Sequence, residues 1–341
     1  MKTGVVIDRR YMNHIMTPFH PESPKRIEAI LEMLENVSFP FLKITPRAAR
    51  EEEIQWVHTK EYTASIKNTA SKEKTILDPD TSTSALSYET ALLAAGGTLK
   101  GLDLIQAGKI HNGFALVRPP GHHAEASRAM GFCLFNNVAI GAEYLLRNHG
   151  LKKILVIDWD IHHGNGTQNA FYNRDDVLYF SIHMSPHYPG TGHWSETGEG
   201  PGEGYNINIP LSPGKNNADY LYIIKDILIP IAYAYEPEFI LVSAGFDIGA
   251  ADMLGGMEIT NSGFAAITRE IMHIAHTYSN DKILHALEGG YDLNTIQEGI
   301  REILLQLSGK GSEPGIKPEA SQDTKHELEP ILTHLKNFWK I

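Results

Sequence analysis

The stretch Ile154 to Gln168, ILVIDWDIHHGNGTQ, constrains this chain most, because a wholly apolar run stops in two aspartates, two histidines and two glycines. Four consecutive aliphatic residues, Ile154 to Ile157, suit a strand covered on both faces, and the glycines end it. Alternate side chains of extended backbone point the same way, so Asp160 and His162 can close on one cation while Asp158 stands behind them. A merely solvated polar loop is the weaker reading, since four ionisable groups against such a strand are costly without a partner.

Three more buried strands end in chemistry. Gly113 to Val117 runs into Arg118-Pro119-Pro120-Gly121-His122-His123, Glu238 to Ser243 into a glycine-flanked Asp247, and Lys282 to Leu287 into Glu288-Gly289-Gly290-Tyr291. Amphipathic helical patterns separate them, as with Ile27, Ile30, Leu31 and Leu34 after an expected N-cap at Ser23, or the patterns over 50–70, 84–106 and 260–278. Alternating strands and helices predict an α/β fold with a parallel sheet, whose ligands gather beyond the carboxyl ends of the strands. Asp160, His162 and Asp247 then make three ligands with a vacant position, the catalytic metal pattern. Two carboxylates and one imidazole suit Zn2+, with Fe2+ or Co2+ as alternatives. His122-His123 supply a base and an acid near neutral pH, and Tyr291 donates to an oxyanion. The expected chemistry is amide hydrolysis without a covalent intermediate.

The 341 residues, 42% of them hydrophobic, can form one large catalytic unit. A net charge of -11 with no basic cluster argues against direct nucleic-acid binding, and would attract a basic protein tail. The single cysteine, Cys133, excludes intramolecular disulfides and a CxxC metal site, and suits a reducing cytoplasm. No apolar run is long enough for a membrane span. The turn-rich loop from Met184 to Gly204 has the length and composition of a functional loop.

The chain resembles the class II histone deacetylases and their bacterial relatives, within the superfamily that also holds acetylpolyamine amidohydrolases and arginases. The resemblance rests on His20-Pro21-Glu22-Ser23-Pro24, Asp78 to Thr81, Arg118 to Ala124, Gly131 to Asn137, Asp158 to Gln168, Ser181 to His183, Tyr188 to Gly192, Ser243 to Asp247 and Leu287 to Tyr291. It implies the arginase/deacetylase fold, a single three-layer domain with helices on both faces of a mostly parallel sheet of about eight strands. Residues 1–307 would be the catalytic domain, 308–325 a polar surface linker, and 326–341 a C-terminal helix packing on that domain.

The resemblance also implies roles. Asp160, His162 and Asp247 hold Zn2+, His123 is base and acid, His122 its electrostatic partner, and Tyr291 the oxyanion donor. Asp158 and Asn165 are the partners of His122 and His123. A structural K+ falls on Asp158, Asp160, the His162 backbone, Ser181 and Ile182, and a second monovalent site on Phe171, Arg174, Val177 and Tyr205. Phe132 and Tyr188 form the walls of an acyl-lysine tunnel. Leu254 takes the rim position where polyamine-specific relatives carry a glutamate, so acyl-lysine in protein or peptide is the expected substrate and acetylpolyamine the alternative. The loop before His20 lacks the insertion of dimeric acetylpolyamine enzymes, and a homo-oligomer stays open. A non-catalytic acyl-lysine reader is the alternative from another class.

Overall fold

The computed structural model describes residues 1–341. Ten strands are formed: β1 (Thr3–Val6), β2 (Leu42–Ile44), β3 (Thr75–Ile76), β4 (Ser82–Thr83), β5 (Asn112–Ala115), β6 (Ile154–Asp158), β7 (Val177–Met184), β8 (Asn206–Leu211), β9 (Phe239–Ala244) and β10 (Ile283–Leu287). Eight make one sheet in the order β2-β1-β5-β10-β9-β6-β7-β8, with every pairing parallel. The antiparallel pair β3-β4 stands apart and carries the turn Asp78 to Asp80 at its tip.

The main helices are α1 (Lys25–Glu35), α2 (Glu51–Ile54), α3 (Lys60–Lys67), α4 (Ser87–Gln106), α5 (Asn137–His149), α6 (Asn165–Phe171), α7 (Asn217–Ile223), α8 (Ile229–Tyr235), α9 (Asn261–Tyr278), α10 (Leu293–Leu307) and α11 (Gln322–Leu335). Alternation along the strands sorts the two covers. Leu241 and Leu284 meet Gly141 of α5 and Gly101 of α4 on one face, while Phe114 and His285 belong to the other, where Phe246 packs on Phe264 of α9. Both faces bury a continuous apolar core, which is why the central strands are aliphatic throughout. No helix is long and apolar enough to cross a membrane.

Several boundaries differ from the sequence expectation. Pro24 already has helical dihedrals (φ -53°, ψ -25°), so α1 starts at Lys25 and the Ser23 side chain caps nothing, although the Ser23 carbonyl accepts from Arg26 N–H at 3.1 Å. The pattern over 50–70 splits into α2 and α3, with the Thr59 hydroxyl accepting from Tyr62 N–H to start the second. Between α7 and α8 the helical run takes a π-turn, Ile224–Leu228, just before Pro230, which has no N–H to donate. The C-terminal helix begins at Gln322, not at 326, so the linker ends at Ser321. Ser321 N–H donates to Asp219 Oδ1 at 2.8 Å, and its hydroxyl accepts from Thr324 N–H at 3.2 Å, which fixes the earlier start. Leu328, Ile331 and Leu335 then join the same core as the sheet.

Candidate active site

The strands β5, β10, β9 and β6 are consecutive neighbours in the sheet, so the four groups singled out in the sequence emerge side by side at their carboxyl ends. Backbone and carboxylates lock these ends together. Gly121 N–H (2.6 Å) and His122 N–H (3.1 Å) donate to Glu288 Oε2, and Ser243 Oγ donates to Glu288 Oε1 (3.1 Å). Gly289 N–H donates to Asp160 Oδ2 at 2.8 Å, and Ile161 N–H to Asp247 Oδ1 at 3.1 Å. The close approach explains the glycine: a Cβ on residue 289 would stand 2.1 Å from Asp247 Oδ2 and 2.6 Å from Asp160 Oδ2.

Asp160, His162 and Asp247 place one donor atom each within 4.8 Å of one another. His162 Nδ1 lies 3.0 Å from Asp160 Oδ1 and 3.3 Å from Asp247 Oδ2. Asp247 is wholly buried, yet its Oδ2 has no hydrogen-bond partner. Burial and the Asp160 carboxylate both push Asp247 above the usual carboxylate range. A divalent cation would satisfy the orphan oxygen and relieve the repulsion between the carboxylates, so these residues fit a metal.

Beside this cluster the tandem histidines have opposite electrostatics. Their rings are 4.0 Å apart between centroids. Burial acts against charge on His122, but Asp160, Asp158 and Glu288 outweigh it and hold the imidazole up at about 10; its Nδ1 is 3.1 Å from Asp158 Oδ2. For His123, burial and the neighbouring charge on His122 act together and keep it neutral, well below the ordinary value. His123 Nδ1 lies 2.8 Å from Asn165 Oδ1, and the Asn165 amide group is committed as a donor to Glu125 Oε1 at 2.8 Å. The proton of neutral His123 therefore sits on Nδ1, and Nε2 is a free acceptor.

Residues 20–307 match the model of the histone deacetylase domain. The chain is 38% identical over 358 residues to a probable deacetylase of Archaeoglobus fulgidus, an alignment covering 100% of this chain and 99% of that one. It is 42% identical over 360 residues to histone deacetylase 5 of Arabidopsis thaliana, covering 99% of this chain and 54% of that protein. This chain belongs to the histone deacetylase family. Its structure also superposes on the crystal structure of the HDA15 HD domain with a TM-score of 0.92 at 36% identity, covering 99% of this chain and 96% of that one. The chain spans about half the length of the plant and fungal deacetylases it matches. The family is one of deacetylase hydrolases and is generally zinc-dependent.

The site opens through a cavity of about 430 Å3, lined by His122, His123, His162, Phe132, Tyr188 and Leu254 among others. Tyr188 meets His123 edge-on at 5.1 Å, and Phe132 meets Tyr291 edge-on at 5.9 Å. Burial raises the Tyr291 phenol well above its ordinary value, with Asp247 adding to this, so it stays protonated. Asp158 is in register with Ser181 across the β6-β7 pair, Ile182 is next on β7, and Asp160 and His162 follow just beyond the end of β6. Phe171, Arg174, Val177 and Tyr205 gather around the start of β7; Arg174 is committed to Asp176 and Glu143, and its guanidinium lies 5.5 Å from the Phe171 ring. His14 is buried against Ser87 and stays out of the cavity. His20 meets Phe132 edge-on at 4.6 Å. Cys133 is buried, with its thiol donating to Gly131 O.

Sequence reasoning missed several residues that hold this site together. Glu288 clamps the tandem histidines, as above. His187 stacks on His162 at 4.8 Å and also lines the cavity. Arg26 donates to Gly290 O (2.7 Å), Gly289 O (3.0 Å) and Glu288 O (2.5 Å), and pairs with Glu22, which also pairs with Arg118. The proximity of His20-Pro21-Glu22 and Arg26 to a helix start was visible, but Arg118, which Glu22 holds, is 96 residues away and the Gly290 carbonyl that Arg26 holds is 264 residues away. We expect Asp160→Ala, His162→Ala and Asp247→Ala each to lose bound divalent metal, measured by elemental analysis, because three ligands leave no redundancy. Full occupancy in any one variant would remove that residue from the ligand set.

Proposed function

We propose that this chain hydrolyses the amide of N6-acetyl-lysine in proteins or peptides. The observation that carries the reading is the pairing of one cationic and one neutral imidazole beside a buried carboxylate-histidine-carboxylate cluster at the base of an aromatic-walled cavity. A narrow cavity with Phe132 and Tyr188 as walls suits an apolar lysine stem with its acyl group leading. Zinc held by Asp160, His162 and Asp247 would supply Lewis-acid polarisation of the substrate carbonyl and activation of water.

The chain's own groups account for the proton traffic. His123 Nε2 accepts a proton from the attacking water, because its Nδ1–H is committed to Asn165 and its neighbours keep it neutral beforehand. Asn165 is an amide and does not draw that proton away. His122 remains charged against Asp158 and adds positive potential next to the charge that develops on the substrate. Protonated His123 then delivers the proton to the leaving lysine amine. Tyr291, still a phenol at neutral pH, donates to the oxyanion. A monovalent cation at the β6-β7 end would balance the carboxylates beneath the site, and a second one, around Phe171, Arg174, Val177 and Tyr205, would lie at the start of β7, away from them. Residues 1–307 form the catalytic domain in this reading, with the C-terminal helix as part of the same unit.

Two predictions follow from the geometry. His123→Ala should lower turnover by about 10²-fold or more with fold and metal retained, and His122→Ala should do less harm. Assays at matched metal content decide it, and the reverse ranking would exchange the two roles. Leu254 bears on substrate class. Leu254→Glu places a carboxylate at the rim, where it can pair with the distal ammonium of an acetylpolyamine and with nothing on a simple acetyl-lysine peptide. The ratio of kcat/KM for acetylpolyamine over peptide should be below one in the native protein and should rise about tenfold in the variant, the scale of one charge contact. A native preference for polyamines would replace the peptide reading by the polyamine one.

A further inference from the structure

Tyr291 is only useful as a donor if its phenol is held over the carbonyl oxygen, and a tyrosine that follows two glycines has no strand to hold it. Gly290 has φ +109°, a conformation that side chains disfavour, so the backbone here is set by its contacts. The peptide unit joining Gly290 to Tyr291 is gripped at both ends. Its carbonyl accepts from Arg26 Nε at 2.7 Å, and its N–H donates to Asp252 Oδ2 at 2.5 Å. Asp252 Oδ2 also accepts from Asp292 N–H at 2.9 Å, at the residue whose side chain caps α10 by accepting from Thr295 N–H. The other carboxylate oxygen, Oδ1, accepts from Leu254 N–H at 3.0 Å.

One carboxylate thus ties the cavity rim at Leu254 to the backbone of the proposed oxyanion donor. We propose that Asp252 is a positioning residue that fixes Tyr291 for oxyanion donation and sets it in register with the rim, an inference that rests on the deacetylase reading above. Its two oxygens are used in opposite directions, so no neutral side chain of the same size can replace it. An amide would present a donor to an N–H on one side or the other.

The test uses two substrates that differ in their need for Tyr291. Fluorines on a trifluoroacetyl group withdraw electrons, so the oxygen of the tetrahedral species is less basic and depends less on a hydrogen-bond donor than that of an acetyl group. The native protein, Tyr291→Phe, Asp252→Ala and Asp252→Asn are assayed at matched zinc content on the same peptide bearing acetyl-lysine or trifluoroacetyl-lysine. Removing an oxyanion donor costs about 10²-fold or more. Tyr291→Phe should show that loss on acetyl-lysine and a much smaller one on trifluoroacetyl-lysine. Asp252→Ala should lose about tenfold or more on acetyl-lysine and less than about threefold on trifluoroacetyl-lysine, reproducing the selectivity of Tyr291→Phe. Asp252→Asn, which keeps one acceptor, should lose about three- to tenfold on acetyl-lysine with the same selectivity, and it carries the test if the alanine variant does not fold. Parallel losses on both substrates, or none, in either Asp252 variant would overturn the inference. If Tyr291→Phe itself fails to discriminate, the donor role of Tyr291 falls and takes this inference with it.

Discussion

Four carboxylates, Asp158, Asp160, Asp247 and Glu288, are buried together at the carboxyl ends of β6, β9 and β10, and the site depends on how their charge is balanced. Isolated carboxylates in such a place would be far too costly, so each must be hydrogen-bonded or paired. Backbone N–H groups of Asp160, Ile161, His162, Gly289, Gly121 and His122 take part of the load, and the Tyr179 hydroxyl and His122 imidazole take more. What is left over is Asp247 Oδ2. The same field explains the unequal histidines: His122 faces the carboxylates and is held charged, and that charge helps keep His123 neutral.

The parallel sheet is what brings these groups together. All strands run the same way, so each polar turn that follows an aliphatic run arrives on one side of the sheet. The aliphatic runs and the residues that end them were therefore legible in the sequence, as were β5, β6, β9 and β10 to within a residue or two. Helix boundaries were less so. Polar side chains in 318–325 look like linker, yet Thr324 is buried and Ser321, its N–H held by Asp219, caps α11 with its hydroxyl. Helix α10 repeats Ile296, Ile300, Ile303, Leu304 and Leu307 at helical spacing.

The supporting residues were hardest to read. Glu22, Arg26 and Arg118 form one buried charged cluster from two segments, and Asp252 and Glu288 act through backbone N–H groups that carry no residue signature. Spacing along the chain reports which side chains share a strand end. It does not report which distant backbone a carboxylate will grip, since that is set by the order of strands in the sheet.

The central claim is that the β5, β10, β9 and β6 ends build a metal-dependent amide hydrolase. The most direct measurement strips divalent metal from the purified protein with a chelator, then follows acetate release from an acetyl-lysine peptide as Zn2+ is added back. No release is expected without metal, and the rise should level off at one ion per chain. Unchanged turnover by fully stripped protein would contradict the central claim.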